Sequence, residues 1–244
     1  MTGKLYGIGV GPGDPELVTL KAHRHLQAAP VVAYPAPDSG ESFARSIVAD
    51  YLSPQQIEYP IVIPMRVERF PAKSVYDQAA ADLASHLDSG RDVAVLCEGD
   101  PFFYGSFMYL FERLAEDYPC EIVPGISSLM ASGAVLGRPL AARNDVLTVL
   151  PAPLDDETII SQLKSSDAIC FIKVGRHLER ITALIKQCGL LDQAAYLERV
   201  SLPNQKLIPL SDVQSDSAPY FSIILIYKGA EDWISSRPIG VQYL

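Results

Sequence analysis

Cysteine is scarce and scattered: the four in 244 residues, Cys97, Cys120, Cys170 and Cys188, include no CxxC pair. Three of them sit in apolar stretches, so neither a metal site nor a disulfide framework is expected. No apolar run approaches the roughly eighteen residues that a membrane span needs. The start turns glycine-rich from Gly7 to Gly13 before any signal-peptide core could form, so no membrane partner and a cytoplasmic location are expected. Positive charge is also in short supply, with 20 Lys and Arg against 29 Asp and Glu and a net charge of −9. That balance disfavours nucleic acid as a partner, because phosphate neutralisation needs a basic face, and any anionic ligand must be held by a local cluster. Low-complexity tracts and fixed-period repeats are missing too, which sets aside disorder, solenoids and propellers. What remains, 48% hydrophobic and 20% charged residues, is a folded globular chain long enough for one large or two modest domains.

Apolar, β-branched runs at 5–10, 31–34, 93–97, 121–123, 146–150, 168–174 and 221–227 alternate with amphipathic stretches at 17–27, 42–51, 75–88, 107–116, 129–136, 158–163 and 177–189. Strands alternating with helices predict an α/β fold with largely parallel pairing and helices covering the sheets. From Ala194 onward, strand-like runs at 196–200, 206–209 and 222–227 leave little room for helices, so the second half is expected to be partly antiparallel. A charged helix end meets Pro119 near Asp117, which places an expected boundary between a domain of residues 1–118 and another of 119–244.

Three turns stand at predicted strand ends. The first, Gly7-Ile8-Gly9-Val10-Gly11-Pro12-Gly13-Asp14-Pro15, fails as a dinucleotide loop. The third glycine of GxGxxG would fall at Asp14, Pro12 occupies a place where a helix should offer an amide to pyrophosphate, and no acidic residue ends the second strand. No GK[ST] follows to make a phosphate loop. The second turn, Glu98-Gly99-Asp100-Pro101-Phe102-Phe103-Tyr104-Gly105, repeats the strand, Gly-Asp-Pro turn and helix arrangement, and the third, Pro124-Gly125-Ile126-Ser127-Ser128, opens another helix. In an open α/β sheet the carboxyl ends of strands bind ligands, so three such turns point to one shared site.

These three segments, in this order and at these separations, resemble the signature segments of the tetrapyrrole methylase family. The second half fits as well, in KVGR at 173–176, the segment 196–200 and the closing strand after Pro219. The resemblance implies two α/β domains with mixed sheets and a cofactor cleft between them, a homodimer, and a methyltransferase using S-adenosylmethionine, folded tightly rather than extended. Within the family, PLAA at 139–142 and Ile172 to Arg176 look like the branch that methylates C-20 of precorrin-2, or of its cobalt form, in corrin biosynthesis. By motif, the implied cofactor contacts are Pro12, Glu98, Gly99, Asp100, Phe103, Ser127 and Ser128. In the second half they are Lys173, Val174, Val200, Ser201, Phe221 and Ser222. Glu98 stands where the family often has glycine.

Each position also has a plainer reading. Asp100, Ser127 and Ser128 can cap the helices that follow them, and Phe103 can be core. Lys173 within an apolar run reads as a buried lysine needing a partner or ligand. The tetrapyrrole acceptor, edged with carboxylates, calls for cations, for which Arg66, Arg69, Lys73, Arg138, Arg143, Arg176 and His177 are candidates. Displacement at a sulfonium needs alignment more than acid–base help, so no dedicated catalytic group is assigned, and Asp100 is expected to order the loop or hold the amino-acid part of the cofactor.

Overall fold

A computed structural model describes residues 1–63 and 70–239. Arg66 and Arg69 lie outside them. In chain order the elements are β1 (Leu5–Gly9), α1 (Leu20–Ala28), β2 (Val31–Pro37), α2 (Phe43–Ile47), β3 (Ile57–Ile63), α3 (Phe70–Asp88), β4 (Val93–Cys97), α4 (Phe107–Leu114), β5 (Cys120–Val123), α5 (Ser128–Leu136), β6 (Leu147–Pro151), α6 (Asp156–Ser165), β7 (Ala168–Ile172), α7 (Leu178–Gln187), β8 (Ala194–Glu198), β9 (Lys206–Pro209), β10 (Ser222–Tyr227) and α8 (Asp232–Ser235). No helix among the described residues is long and apolar enough to cross a membrane.

The chain divides into two compact units, Met1–Ser127 and Ser128–Leu244. The boundary lies beyond the expected break at 118/119, because β5 pairs in parallel with β1 and so belongs to the first sheet.

That first sheet has the order β3-β2-β4-β1-β5, and all its strand pairings are parallel. The connections from β1 to β2 to β3 run one way across it and carry α1 and α2 on one face, where Ala22, Leu26, Ala44 and Ile47 pack on Ile8, Val32 and Leu96. The connections from β3 to β4 and from β4 to β5 run back and carry α3 and α4 on the other face, where Leu83, Leu87, Phe107 and Leu110 pack on Leu5, Val93 and Val95. Right-handed crossovers demand this, since reversing direction along the sheet moves the helix to the opposite face. β4 is flanked on both sides by strands whose connections leave on the other face, so its carboxyl end is a topological switch point.

β3 has no counterpart among the runs read from the sequence. Pro60 interrupts it, and proline is confined to sheet edges because it cannot donate to a ladder. β3 is indeed an edge strand, pairing only with β2.

In the second unit the order is β6-β7-β10-β8-β9. β6 and β7 are parallel, whereas β10 runs antiparallel to both β7 and β8, and β9 antiparallel to β8. This mixed pairing is the one expected of a partly antiparallel second half. α6 and α7 cover one face, with Ile159, Leu163, Ile181 and Ile185 packed on Phe171, Tyr196 and Ile224. Full burial of each such side chain contributes roughly 2 to 3 kcal/mol.

Candidate active site

The three turns of the first unit meet. β1 and β4 are neighbours, and past their ends Gly11 and Gly99 form an antiparallel bridge, with Gly99 N–H donating to Gly11 O at 2.8 Å and Gly11 N–H to Gly99 O at 3.3 Å. Both glycines have φ in the left-handed region, +81° and +64°, which lets the two turns face each other without side chains between them. The third turn packs still more closely. A Cβ on Gly125 would lie 2.0 Å from Gly99 O and 2.7 Å from Gly9 Cα, so backbone rests on backbone and only glycine fits.

Asp100 ties the corners together. Its Oδ1 accepts the N–H groups of Phe102 and Phe103 at 2.9 and 3.1 Å, and its Oδ2 accepts that of Gly125 at 3.0 Å. The carboxylate is therefore occupied by three main-chain donors, which is the loop-ordering role. Pro12 is buried behind the first turn, whereas Gly99, Asp100 and Ser127 are half-buried and Phe103 and Ser128 are exposed. Ser128 is the first residue of α5. Ser127 lies beside Gly99, its Cα 3.5 Å from where a Cβ on Gly99 would stand.

Glu98 leads into the same corner. It is half-buried, and desolvation pushes its carboxyl above its ordinary value, a rise partly offset by hydrogen bonds from its own N–H and from that of Ala44 on α2. The alternation along β4, with Ala94 and Leu96 on the α1/α2 face, continues to Glu98 and explains why it reaches Ala44. Tyr104 was not singled out in the sequence. It takes φ +57°, a strained conformation that no local residue pattern announces.

In the second unit, antiparallel β10 lies between β7 and β8, so its start and their ends share one sheet edge. The register Ser222↔Glu198 and Ile224↔Phe171 brings Val200, Ser201, Phe221, Ser222, Lys173 and Val174 to that edge. Lys173 departs from expectation. β7 stops at Ile172, and Lys173 is exposed with φ +56°, so it is not a lysine buried in a strand. Ser201 is likewise left-handed, at φ +68°, and its N–H donates to Gln205 Oε1 at 3.0 Å. Val174, Val200 and Ser222 are buried, and the Ser222 hydroxyl donates to Pro219 O.

Within the second unit, Arg176 and His177 lie away from Arg138 and Arg143. Arg176 is exposed beside Lys173, and His177 next to it is held below its ordinary pKa by desolvation and by Arg180 and Arg176. Arg138 and Arg143 precede β6, whose start lies at the opposite edge of the second sheet, level with the start of parallel β7. Arg138 is buried rather than rim-exposed, and Arg143 pairs with Glu231 at 2.7 Å. Lys73 is exposed near the start of α3 in the first unit.

The model of the family described as Tetrapyrrole (Corrin/Porphyrin) Methylases matches residues 4–214, which takes in all three turns and the edge formed by β7 and β8. The chain belongs to the tetrapyrrole methylase family. It is 41% identical over 98% of its length to the cobalamin biosynthesis protein CobIJ of Mycobacterium tuberculosis, and it spans about half (49%) of that relative. It is 39% identical to the precorrin-2 C(20)-methyltransferase of a Sinorhizobium species, covering 92% of this chain and 95% of that one. Among solved structures, the uroporphyrin-III C-methyl transferase of Thermus thermophilus complexed with S-adenyl homocysteine superposes with a TM-score of 0.67 at 23% identity, over 91% of this chain and 97% of that one. At that identity the likeness speaks for the methylase fold.

Proposed function

We propose that the chain transfers a methyl group from S-adenosylmethionine to C-20 of precorrin-2, giving precorrin-3A in corrin assembly. The observation that carries this reading is the 39% identity to a precorrin-2 C(20)-methyltransferase over nearly the whole of both chains. The corner built by Gly11, Gly99 and Gly125 fits an adenosyl ligand. It presents main-chain polar groups with no side chain over them, at a switch point of a parallel sheet.

In this reading Glu98, Gly99, Asp100, Phe103, Ser127 and Ser128 hold the cofactor, with Pro12 backing the first turn. Lys173, Val174, Val200, Ser201, Phe221 and Ser222 complete the set. The cofactor supplies an activated methyl group on a sulfonium. The chain's own work is to fix the turns, and Asp100 does so by spending its oxygens on three amides rather than on the sulfonium. A carboxylate against a cation that disappears during reaction would stabilise the reactant more than the transition state. Lys73 and Arg176 are the exposed cations proposed for the acceptor's carboxylates. The protein works in the cytoplasm as a homodimer.

The test is a single-turnover reaction of the purified chain with precorrin-2 and methyl-¹³C S-adenosylmethionine, run in parallel with cobalt-precorrin-2. One labelled methyl at C-20 of the metal-free product is expected. Label at another carbon, or turnover of the cobalt form alone, overturns the assignment.

A further inference from the structure

Backbone strain in the second unit gathers at one edge of its sheet. Among the described residues, five non-glycine residues take a left-handed φ, and three of them, Lys173, Arg199 and Ser201, stand where β7 and β8 end and β10 begins. Such conformations cost free energy, and they cluster at ligand sites, where the surroundings hold them in place. Lys173 and Ser201 are in the set proposed for the cofactor. Arg199 is the third.

The Arg199 main chain is fixed on both sides, its N–H donating to Phe221 O at 2.9 Å and its carbonyl accepting the N–H of Leu202 at 3.0 Å. In an extended strand Glu198 and Arg199 would point to opposite faces. The φ of +48° at Arg199 ends that alternation, and its Nη1 donates to Glu198 Oε2 at 3.0 Å. Glu198 is held in turn, its Oε1 accepting the hydroxyl of buried Tyr196 at 2.8 Å. Lys206 Nζ lies 3.9 Å from the same oxygen. Two cations against one carboxylate leave this group positive in a chain whose net charge is −9, and an anion is drawn to such a local excess. The Arg199 side chain is 36% exposed and that of Glu198 13%, so the arginine meets solvent at the edge while its anchor stays largely covered. A guanidinium is a planar fork: with Nη1 turned to Glu198, its Nε and Nη2 edge has the geometry to take a carboxylate through two parallel bonds.

Resting on the function proposed above, we infer that Arg199 binds a carboxylate of a ligand seated at this edge, with Glu198 and Tyr196 as positioning residues for its fork. Two sources offer that group, the rim of the tetrapyrrole acceptor and the amino-acid part of the cofactor, and the recognition chemistry is the same for both.

The deciding experiment uses wild type, R199M and R199K. Calorimetry measures binding of S-adenosylhomocysteine and of 5′-methylthioadenosine, which lacks the amino-acid part and its carboxylate, and steady-state rates give kcat and KM for precorrin-2. R199M is expected to lose about tenfold or more toward the ligand whose carboxylate Arg199 holds. A raised KM for precorrin-2, with kcat within about threefold of wild type and both nucleosides bound as before, assigns the acceptor's carboxylate. Weakened S-adenosylhomocysteine with unchanged 5′-methylthioadenosine assigns the cofactor's. R199K keeps the charge beside Glu198 without the fork, so it should melt as wild type does and lose affinity for that same ligand alone. R199M constants all within about twofold of wild type overturn the role, as does an equal loss for both nucleosides, which would make Arg199 a support of the fold. A wild type that leaves precorrin-2 unmethylated overturns the proposed function instead, a result distinct from any in which the wild type turns over.

Discussion

Asp100 Oδ2 accepts the main-chain N–H of Gly125 at 3.0 Å, a bond across twenty-five residues of sequence that locks the turn after β4 to the turn after β5. Asn at this position keeps an acceptor for the Phe102 and Phe103 amides but turns a donor toward Gly125 N–H. D100N is therefore expected to cost about 1 to 2 kcal/mol of stability and to weaken S-adenosylhomocysteine binding about tenfold or more. Thermal melts and calorimetry check both. Unchanged affinity in a folded D100N protein would remove this corner from the cofactor site.

Gly125→Ala tests the backbone-on-backbone packing. The added methyl would meet Gly99 O at 2.0 Å, and neither partner is a flexible side chain. A loss of about 3 kcal/mol is expected. The contrasting variant is Gly189→Ala, at φ +72° with nothing within 4 Å of the new Cβ, which carries only conformational strain of about 1 kcal/mol. Urea midpoints should separate the two, and equal losses would contradict the close approach.

Lys173 separates strain from contact. Its φ of +56° suits glycine better than lysine. K173G is expected to gain about 1 kcal/mol of stability, whereas K173A is not. Both should weaken S-adenosylhomocysteine binding if the lysine chain touches the cofactor. A destabilised K173G would show that the side chain serves the fold.

Glu121 gives a pH dependence whose sign is fixed. Hydrogen bonds and charge from Lys21 and Lys4 lower its carboxyl from 4.5 to about 2. A depressed folded-state value means stabilisation present above about 4.5 and lost as pH falls toward about 2. The pairs are partly solvated, so the effect is modest and salt-sensitive. Denaturation midpoints of wild type and E121Q should differ at pH 6 and converge near pH 2. A gap that persists at low pH would assign the effect to packing.

The alternating runs, the three turns and the antiparallel tail were legible because each is local. β4, as Val-Ala-Val-Leu-Cys between helical patterns, reads as a strand buried on both faces, and it is one. β3 was not legible, because Pro60 argues against a strand unless the strand is known to lie at an edge, and edge position is set by pairing with β2. The end of the first unit failed for the same reason: Pro119 marks a turn, but only the pairing of β5 with β1 decides which sheet the next strand joins. Lys173 was misread because one left-handed residue ends β7, and side-chain chemistry does not announce φ.

The sequence by itself determined the fold class, the family and the three corners, since these rest on periodicity and on glycine and proline placed at fixed points. Tertiary structure alone decided that the corners meet backbone to backbone, that Asp100 is spent on amides, and that Arg138 and Arg143 lie away from Lys173 and Arg176. The physical reason is that burial, hydrogen-bond saturation and electrostatic surroundings are properties of residues distant in sequence and close in space.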